Sequence, residues 1–579
     1  MKIKLAKTAG FCMGVKRAME IAFFEANKND DKLFTYGPLI HNQQVLDLLS
    51  NKGVNVITEI GDKEKGRIII RAHGVSPGEK KKLEESKFKV IDATCPRVVK
   101  VQAIIEKYNK KGYVPVIFGD LMHPEVVGLM GYSAGNGIVT NSVDNIEETL
   151  GKDKKRRFAV VSQTTQDAEA YNKFTKKIME LYPESITFDT ICDETYKRQG
   201  ETKALASEVD CMVIVGGKNS GNTKRLHEIS KSTGKPAFHI ETEKELEGSW
   251  FSFVNNIGVT AGASTPNWMI KRVIDKLSTV TNGKHYYFKN FAGKIFPFIN
   301  KTTITESIGA FSLTYAGIAL TGGKKSIIYP VIAMLYVYGM HVLNRFLDKE
   351  VNKYNEPGMA IFYSKNKGFL VVSSLAGIAA GLILSLYLGF TQLLLFAGLT
   401  MLGLAYSIPI IPWKSKYLGR YSKIKDLPGS KDLTEALAWG TTSSLLPVIG
   451  MDRIFWPGVL TSFFFVSSMC YIRTSFFNIL NIQGDIIVGN ETLPIALGEK
   501  RAFNLLMLVN SIFTLTLLLS AITGVVTKLG YILSFCFILS FYYLIAYKSD
   551  YIRDEYILKG IVEFNLLLAG IIAFIWELY

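Results

Sequence analysis

The sequence predicts a chain of two parts, a soluble α/β domain followed by an all-α polytopic membrane domain. Short apolar runs alternate with helical stretches in the first half, whereas apolar runs of membrane-spanning length dominate from residue 303 onward. With 579 residues, the chain is also too long for one hydrophobic core. We therefore expect domains at 1–283 and 301–579, joined at 284–300 by an interfacial linker rich in aromatic residues and lysine.

The charge and cysteine content of the chain limit the cellular compartment and the binding partners that we expect for the protein. The net charge of +16 is first explained by basic cytoplasmic loops of a membrane protein, so we expect no nucleic-acid partner. The start of the chain leads directly into a strand-like run, so we expect no secretion signal and a reducing compartment. Three of the six cysteines, Cys211, Cys470 and Cys536, fall in apolar segments, and we expect them to be packing residues.

Continuous apolar runs in the first half are typical of buried parallel strands covered by helices. These runs are 67–71, 114–118, 158–162, 212–215 and 256–260. The polar side chains that follow them are His73, His123, Thr164, Ser220 and Ser264. Because functional sites of α/β proteins lie beyond the carboxyl ends of their strands, the sequence predicts one site built from these residues.

The other three cysteines point to a metal centre. Cys12 lies in a glycine-rich turn before a helix, Cys95 ends a strand that Pro96 stops, and Cys192 follows another strand. The separations are 83 (95 − 12) and 97 (192 − 95) residues, which suggests three similar lobes around one point. Three thiolates can hold an iron–sulfur cluster and leave one iron open, whereas a fourth ligand would close it for electron transfer only. Three unrelated thiols, or a closed electron-transfer protein, remain alternatives.

Three histidines, His41, His73 and His123, lie in turn-like contexts and not on apolar helix faces. Together with Ser220, Asn222 and Ser264 they provide the donors that a diphosphate requires. Glu125 lies two residues after His123 and is the natural proton donor of such a site. The alternatives are structural histidines and a surface carboxylate.

These residues lie in motifs that resemble one family. The matching stretches are Cys12-Met-Gly14, Gly37-Pro-Leu-Ile-His41, Ala72-His73-Gly74, Asp92-Ala-Thr-Cys95-Pro96, His123-Pro-Glu125, Ser162-Gln-Thr-Thr165 and Gly217-Lys-Asn-Ser220-Gly-Asn222. Over about residues 2–280 the chain resembles the 4-hydroxy-3-methylbut-2-enyl diphosphate reductases (LytB), which complete the methylerythritol phosphate pathway of isoprene biosynthesis.

The resemblance implies a three-lobed fold and a reductive dehydroxylation that yields isopentenyl and dimethylallyl diphosphate. It implies a central [4Fe–4S] cluster on Cys12, Cys95 and Cys192, a diphosphate site, and an external electron donor of ferredoxin or flavodoxin type. The implied diphosphate ligands are His41, His73, His123, Ser220, Asn222 and Ser264. Glu125 would supply protons and Thr164 would orient the substrate hydroxyl. One departure is Gly221, where the family often has serine, so one phosphate-binding hydroxyl is missing.

Nine membrane spans are predicted in the second half. They are 304–321, 326–344, 369–388, 391–411, 433–450, 455–472, 503–522, 528–547 and 560–578. The loops expected inside, which hold most of the lysine and arginine, are 345–368, 412–432, 473–502 and 548–559. The positive-inside rule therefore predicts a multi-pass protein of the cell inner membrane with its first domain in the cytoplasm.

Polar residues gather at two of the predicted inside span ends. Asn344, Asp348 and Asn352 share one helix face by their spacing, and a second group contains Asn478, Asn481 and Asp485. Polar groups near membrane depth indicate a functional site, and oxygen ligands suit Mg²⁺ that bridges a diphosphate. The alternative is helix-end residues that meet water.

The second half resembles the UbiA family of intramembrane aromatic prenyltransferases, over about residues 300–579. The matching stretches are 344–352, Tyr406-Ser407 with Lys414 and Lys416, 425–432 and 483–494. The resemblance implies a prenyl diphosphate and Mg²⁺ site to which Lys414 also contributes. Arg345, Asn352, Asn478 and Asn481 stand where the family usually has aspartate. The sequence therefore indicates a reductase fused to a membrane prenyltransferase of unknown acceptor; the alternative is a non-catalytic anchor or isoprenoid-binding module.

Overall fold

The computed structural model divides the chain into two compact units, Met1–His285 and Tyr286–Tyr579. It describes residues 2–28, 32–60, 65–144, 146–281, 302–323, 326–406, 427, 429–449, 451, 453–490, 492–549, 551–552 and 555–579. The expected linker at 284–300 lies outside the described residues.

The first unit contains three four-stranded parallel sheets. Its strands are β1 (Lys2–Leu5), β2 (Leu33–Tyr36), β3 (Val54–Ile57), β4 (Gly66–Ile70), β5 (Phe88–Asp92), β6 (Val114–Phe118), β7 (Ile138–Thr140), β8 (Phe158–Ser162), β9 (Ile186–Thr187), β10 (Cys211–Val215), β11 (Ala237–Ile240) and β12 (Asn256–Ala261). The strand orders are β3-β2-β4-β5, β7-β6-β8-β9 and β11-β10-β12-β1. The third sheet has the same strand order as the other two if β1, at the start of the chain, is counted as the strand that follows β12. The three predicted lobes are therefore three copies of one topology.

Helices connect the strands of this unit. They are α1 (Met13–Ala26), α2 (Gln43–Asn51), α3 (Pro77–Glu84), α4 (Pro96–Asn109), α5 (Pro124–Met130), α6 (Ile146–Leu150), α7 (Ala168–Leu181), α8 (Asp193–Glu208), α9 (Gly221–Ser232) and α10 (Asn267–Thr281). Short 3-10 turns lie at Gly131–Ser133, Glu243–Glu245 and Gly248–Phe251. Strands β8 and β10 are buried at every position, because parallel strands between helical layers exclude water on both faces. The five predicted strands agree with the observed ones to within one residue at each end.

In the described residues of the second unit, all regular secondary structure is helical. Its helices are α11 (Ile304–Thr321), α12 (Ile328–Leu347), α13 (Lys349–Asn355), α14 (Pro357–Lys365), α15 (Lys367–Leu388), α16 (Phe390–Ala405), α17 (Ser430–Gly440), α18 (Trp456–Leu480), α19 (Ile482–Val488), α20 (Leu493–Leu497), α21 (Glu499–Ile522), α22 (Leu529–Lys548) and α23 (Glu555–Leu578). A π-helical turn, Thr441–Leu445, extends α17.

Each of the nine predicted spans overlaps one of these helices. Within the described residues, five helical segments are long and apolar enough to cross a membrane. They are Lys367–Leu388, Trp456–Leu480, Glu499–Ile522, Leu529–Lys548 and Ile557–Leu578. The all-α membrane class is thus confirmed, whereas the number nine stays a prediction.

The two polar motifs differ from the sequence expectation in one respect. The spacing of Asn344, Asp348 and Asn352 predicts one continuous helix, but α12 ends at Leu347 and Asp348 leaves the helical region with φ −98° and ψ 26°. In the second motif α18 ends at Leu480, and Asn481 has φ −101° and ψ 8°. Spacing alone does not reveal such breaks. Each break turns its polar side chains away from one helix and toward a shared cavity.

Candidate functional sites

The three cysteines of the first unit occupy equivalent positions in the three lobes. Cys12, Cys95 and Cys192 follow β1, β5 and β9, which are edge strands of their sheets. Each cysteine is the N-cap residue of the next helix, α1, α4 or α8. Helix N-termini carry partial positive charge, which favours thiolates and anionic groups. The repeated topology therefore brings three sulfurs and three helix N-termini to one place.

The surroundings of these sulfurs fit a metal cluster. A Cβ atom on Gly14 would lie 2.4 Å from Cys95 Sγ, so the helix can approach that sulfur only because residue 14 has no side chain. Burial raises the pKa of the Cys12 and Cys95 thiols, while backbone N–H groups of α1 and α4 that point at these sulfurs oppose that effect. Three soft sulfur donors, two of them with N–H groups directed at the sulfur, suit an iron–sulfur cluster.

A cavity of about 100 Å³ adjoins the cysteines. All eleven residues predicted for this site line it, namely Cys12, His41, His73, Cys95, His123, Glu125, Thr164, Cys192, Ser220, Asn222 and Ser264. The structure thus brings together side chains from positions 12 to 264 of the chain. Their individual roles stay predictions.

The three histidines form one group on the cavity wall. The ring centroid of His41 lies 4.8 Å from that of His73 and 5.6 Å from that of His123, and the last two are 5.4 Å apart. Their closest nitrogens lie within 4.8 Å of one another, a spacing that could hold a metal ion or receive an anion. Ser220, Asn222 and Ser264 line the same cavity, and such neutral donors favour an anion.

Burial keeps these histidines neutral in the absence of an anion. Desolvation lowers the pKa of His41 and lowers that of His123 to about 4. It also lowers the pKa of His73 well below its usual value, and the other two rings add to that effect. His41 Nε2, His73 Nδ1 and Asn222 Nδ2 are buried and lack a hydrogen-bond partner within the described residues. Buried polar groups without partners are costly, so these atoms could accept a ligand in the cavity.

Glu125 and Thr164 line the same cavity. The backbone N–H of Thr164 donates to Glu125 Oε1 at 2.7 Å, and its hydroxyl donates to Oε2 at 3.0 Å. Burial raises the pKa of Glu125 to about 7, against the opposing effect of those two hydrogen bonds. A carboxyl group with this pKa carries a proton for about half the time at neutral pH. It can therefore donate a proton into the cavity.

Sequence reasoning missed Arg198, which also lines this cavity. Its guanidinium is buried and donates to the carbonyls of Ala261 at 2.6 Å and Gly10 at 2.9 Å. The charge also lies close enough to Cys12 to oppose the rise in the pKa of that thiol. Arg198 thus ties α8 to the turn that carries Cys12. A position inside a helix with no motif around it gave no signal of this role.

The second unit contains a cavity of about 510 Å³. Six of the seven residues predicted there line it, namely Asn344, Asp348, Asn352, Asn478, Asn481 and Asp485; Lys414 lies outside the described residues. The amide oxygens of Asn344 and Asn481 are buried without a hydrogen-bond partner in the part of the chain that the structure describes. Oxygen atoms of this kind, beside the carboxylates of Asp348 and Asp485, match the preference of Mg²⁺.

Helix α13, which follows the first polar motif, is hydrogen-bonded to the second motif. Asn355 Nδ2 donates to Asp485 Oδ1 at 3.1 Å, and a Cβ atom on Gly484 would collide with Asn355 Oδ1. Lys431, which the sequence analysis did not single out, lines the cavity and interacts electrostatically with Asp348 and Asp485. Asn478 also lines the cavity, and its amide N–H donates to the buried Asp432.

The comparisons with known proteins match the two units to different proteins. The family model for the LytB protein matches residues 3–278. A 4-hydroxy-3-methylbut-2-enyl diphosphate reductase of Geobacter sulfurreducens is 44% identical over 284 residues, which are 49% of this chain and 99% of the relative.

Solved structures are similar to each half. A structure of (E)-4-hydroxy-3-methyl-but-2-enyl diphosphate reductase has 41% identity and a TM-score of 0.39, and the match covers 48% of this chain and 100% of that one. A UbiA homolog from Archaeoglobus fulgidus, bound to GPP and Mg²⁺, has 17% identity and a TM-score of 0.36, with 47% of this chain and 99% of that chain covered.

The neutral histidines predict that anion binding depends on pH. The affinity for methanedisulfonate, whose two charges do not titrate, should rise by up to about tenfold per pH unit as the pH falls from 7.5 to 5.5. The reason is that a bound dianion raises the lowered pKa of His41, His73 and His123, so binding takes up protons. Calorimetry of the full-length protein measures this slope. His123→Asn should reduce it, and a pH-independent affinity would contradict the assignment.

Proposed function

We propose, from the premise that the chain belongs to the LytB family, that its first unit reduces 4-hydroxy-3-methylbut-2-enyl diphosphate to isopentenyl and dimethylallyl diphosphate. This reaction removes an allylic hydroxyl as water with two electrons and two protons. The observation that supports it best is the set of unpaired buried atoms on His41, His73 and Asn222 around one cavity. These atoms are the hydrogen-bond partners that a diphosphate would satisfy.

Enzymes of this family use a [4Fe–4S] cluster. In this chain Cys12, Cys95 and Cys192 would hold it. When bound, the cluster supplies electrons and an iron with an open position as a Lewis acid for the substrate hydroxyl. The electrons would come from an external donor of ferredoxin or flavodoxin type.

The side chains of the cavity would divide the remaining tasks. His41, His73, His123, Ser220, Asn222 and Ser264 would bind the diphosphate. Glu125, whose pKa is about 7, would hold a proton close to the substrate. The hydrogen bonds from Thr164 to both oxygens of Glu125 would fix that carboxyl group and orient the substrate hydroxyl. Burial of the cavity limits competing water.

We also propose that the second unit binds a prenyl diphosphate with Mg²⁺ and transfers the prenyl group. The unpaired amide oxygens of Asn344 and Asn481, beside Asp348 and Asp485, support this candidate. The chain would be a multi-pass protein of the inner membrane with its reductase in the cytoplasm. Tethering domain 1–283 to domain 301–579 through a linker would raise the effective concentration of an isoprenoid source at the membrane. A non-catalytic anchor is the alternative.

The reductase assignment predicts a specific loss in Glu125→Gln. Anaerobic membranes with the wild-type chain should convert the labelled substrate. The turnover rate of E125Q should be about 10²–10⁴-fold lower, because its amide cannot donate the proton. Iron content should stay unchanged in E125Q. Wild-type membranes that leave the substrate intact, or an E125Q variant with full turnover, would refute the assignment.

Gly221 offers a gain-of-contact test. A Cβ atom at this position would meet no other atom within 4 Å, so a side chain fits without rearrangement. Gly221→Ser should lower the substrate KM by about threefold to tenfold, because a hydroxyl at the start of α9 adds a hydrogen bond to the phosphate. Gly221→Ala is the matched control and should leave KM unchanged. Equal effects of the two substitutions would show that the residue does not face the diphosphate.

For the membrane unit, replacing a carboxylate by an amide of the same size tests the proposed Mg²⁺ site. Asp348→Asn and Asp485→Asn should each weaken Mg²⁺-dependent binding of labelled geranylgeranyl diphosphate by about tenfold or more, because a neutral oxygen binds Mg²⁺ less well. Glu499 does not line the cavity, so the control substitution Glu499→Gln should leave the binding of geranylgeranyl diphosphate unchanged. If wild-type protein in nanodiscs binds no prenyl diphosphate, the anchor interpretation holds.

A further inference from the structure

A buried carboxylate lies directly behind the wall of the large cavity in the second unit. Asp432, in the first turn of α17, is 0% exposed. The described lining of the cavity includes its chain neighbour Lys431 and its hydrogen-bond partner Asn478, but not Asp432 itself. Burying a charged group is costly unless hydrogen bonds replace the lost water. The contacts of Asp432 therefore indicate what its charge does.

Two side chains of α18 donate hydrogen bonds to Asp432. Ser475 Oγ donates to Oδ2 at 2.8 Å, and Asn478 Nδ2 donates to Oδ1. Positions 475 and 478 are about one helical turn apart, so they share the face of α18 that packs against α17. Each carboxylate oxygen thus has a donor, and the N-terminus of α17 adds a favourable dipole.

The bond to Asp432 fixes the orientation of the Asn478 amide. An amide group carries its nitrogen and its oxygen on one carbon, and the two atoms point in different directions. A carboxylate only accepts hydrogen bonds, so Asp432 holds the amide nitrogen and leaves the oxygen facing away from it. Because Asn478 lines the cavity, this oxygen is the atom that it can present to a ligand there.

The oriented amide lies at the carboxylate end of the cavity. Asp432 interacts electrostatically with Lys431 and Asp485, and Asp485 interacts in the same way with Asp348. Asp348 and Asp485 are the two carboxylates of the Mg²⁺ site proposed above. The pair of Asp432 and Asn478 is therefore placed to act on the same ligand as those carboxylates.

A carboxylate behind a neutral ligand changes how well that ligand binds a cation. When it accepts the N–H of the ligand, it fixes the ligand's orientation and makes the ligand oxygen more basic. Outer partners of this kind typically contribute about tenfold to hundredfold in metal affinity. A neutral side chain at position 432 could tie α17 to α18 without the cost of a buried charge. The charge of Asp432 therefore points to function.

We propose that Asp432 is a positioning residue of the Mg²⁺ site, which holds the Asn478 amide with its oxygen toward the cavity and lends that oxygen negative charge. The inference rests on the proposed prenyl diphosphate site of the second unit. In this arrangement Asn478 supplies an oxygen ligand, and Asp432 supplies charge without touching the ion.

The test uses full-length protein in nanodiscs and measures the Mg²⁺ concentration that gives half-maximal binding of labelled geranylgeranyl diphosphate. In Asp432→Asn this concentration should rise by about tenfold to hundredfold, because the charge is lost and neither amide is held in one orientation. Asn478→Ala should raise it by a similar factor, because the ligand oxygen is removed. Ser475→Ala is the matched control and should stay within about threefold, because it keeps the bond between Asp432 and Asn478.

Exchanging the two side chains separates positioning from a purely structural role. The double variant Asp432→Asn with Asn478→Asp reverses the pair, so that the new amide donates to a carboxylate that lines the cavity itself. The half-saturating Mg²⁺ concentration should return to within about threefold of the wild-type value or fall below it. A residue that only ties α17 to α18 would affect the melting temperature and the number of binding sites, but not the half-saturating Mg²⁺ concentration of the folded protein.

The outcomes distinguish two failures. If wild-type protein binds no prenyl diphosphate at any Mg²⁺ concentration, the proposed function fails, and the positioning role fails with it. If wild-type protein binds, an unchanged half-saturating Mg²⁺ concentration in Asp432→Asn or Asn478→Ala overturns the positioning role alone. A double variant that needs as much Mg²⁺ as Asp432→Asn also overturns it. If Asp432→Asn does not fold, Asn478→Ala and the double variant decide by the same criteria.

Discussion

The convergence of three cysteine sulfurs is the constraint on which the first unit depends. Each sulfur follows an edge strand and caps the helix after it, so three lobes of one topology must meet at their helix N-termini. The close approach of Gly14 to Cys95 shows how tightly they meet. Arg198 adds a buried tie between α8 and the turn before Cys12. The helix dipoles and N–H groups gathered there favour an anionic centre.

The chemistry around that point follows from burial. Three adjacent imidazoles would repel one another if charged, and desolvation lowers the pKa of each, which favours the neutral rings. The same desolvation raises the pKa of Glu125 to about 7, so this carboxyl group carries a proton about half the time at neutral pH. Burial in one cavity therefore shifts the pKa of the histidines and of Glu125 in opposite directions. Within the described residues, His41 Nε2 and Asn222 Nδ2 are buried there without a hydrogen-bond partner.

Most strands and cavity residues of the first unit could be predicted, because they follow from short stretches of the sequence. Apolar runs of strand length gave the strands, and the polar residues after them gave the cavity wall, since parallel strands share one edge. Arg198 could not be found this way, because its partners are backbone carbonyls distant in sequence. In the second unit the apolar runs gave the helices. The breaks at Asp348 and Asn481, and the pairing of Glu306 with His341, depend on tertiary packing and left no periodic signal.

The central claim is that Cys12, Cys95 and Cys192 jointly hold an iron–sulfur cluster in a cavity that also binds a diphosphate. Iron and acid-labile sulfide in anaerobically purified full-length protein test it most directly. The account predicts about four of each per chain, and loss of most of both when Cys95 is replaced by serine or Gly14 by alanine. A chain purified without iron, or one whose iron content does not change with Cys95→Ser, would contradict it.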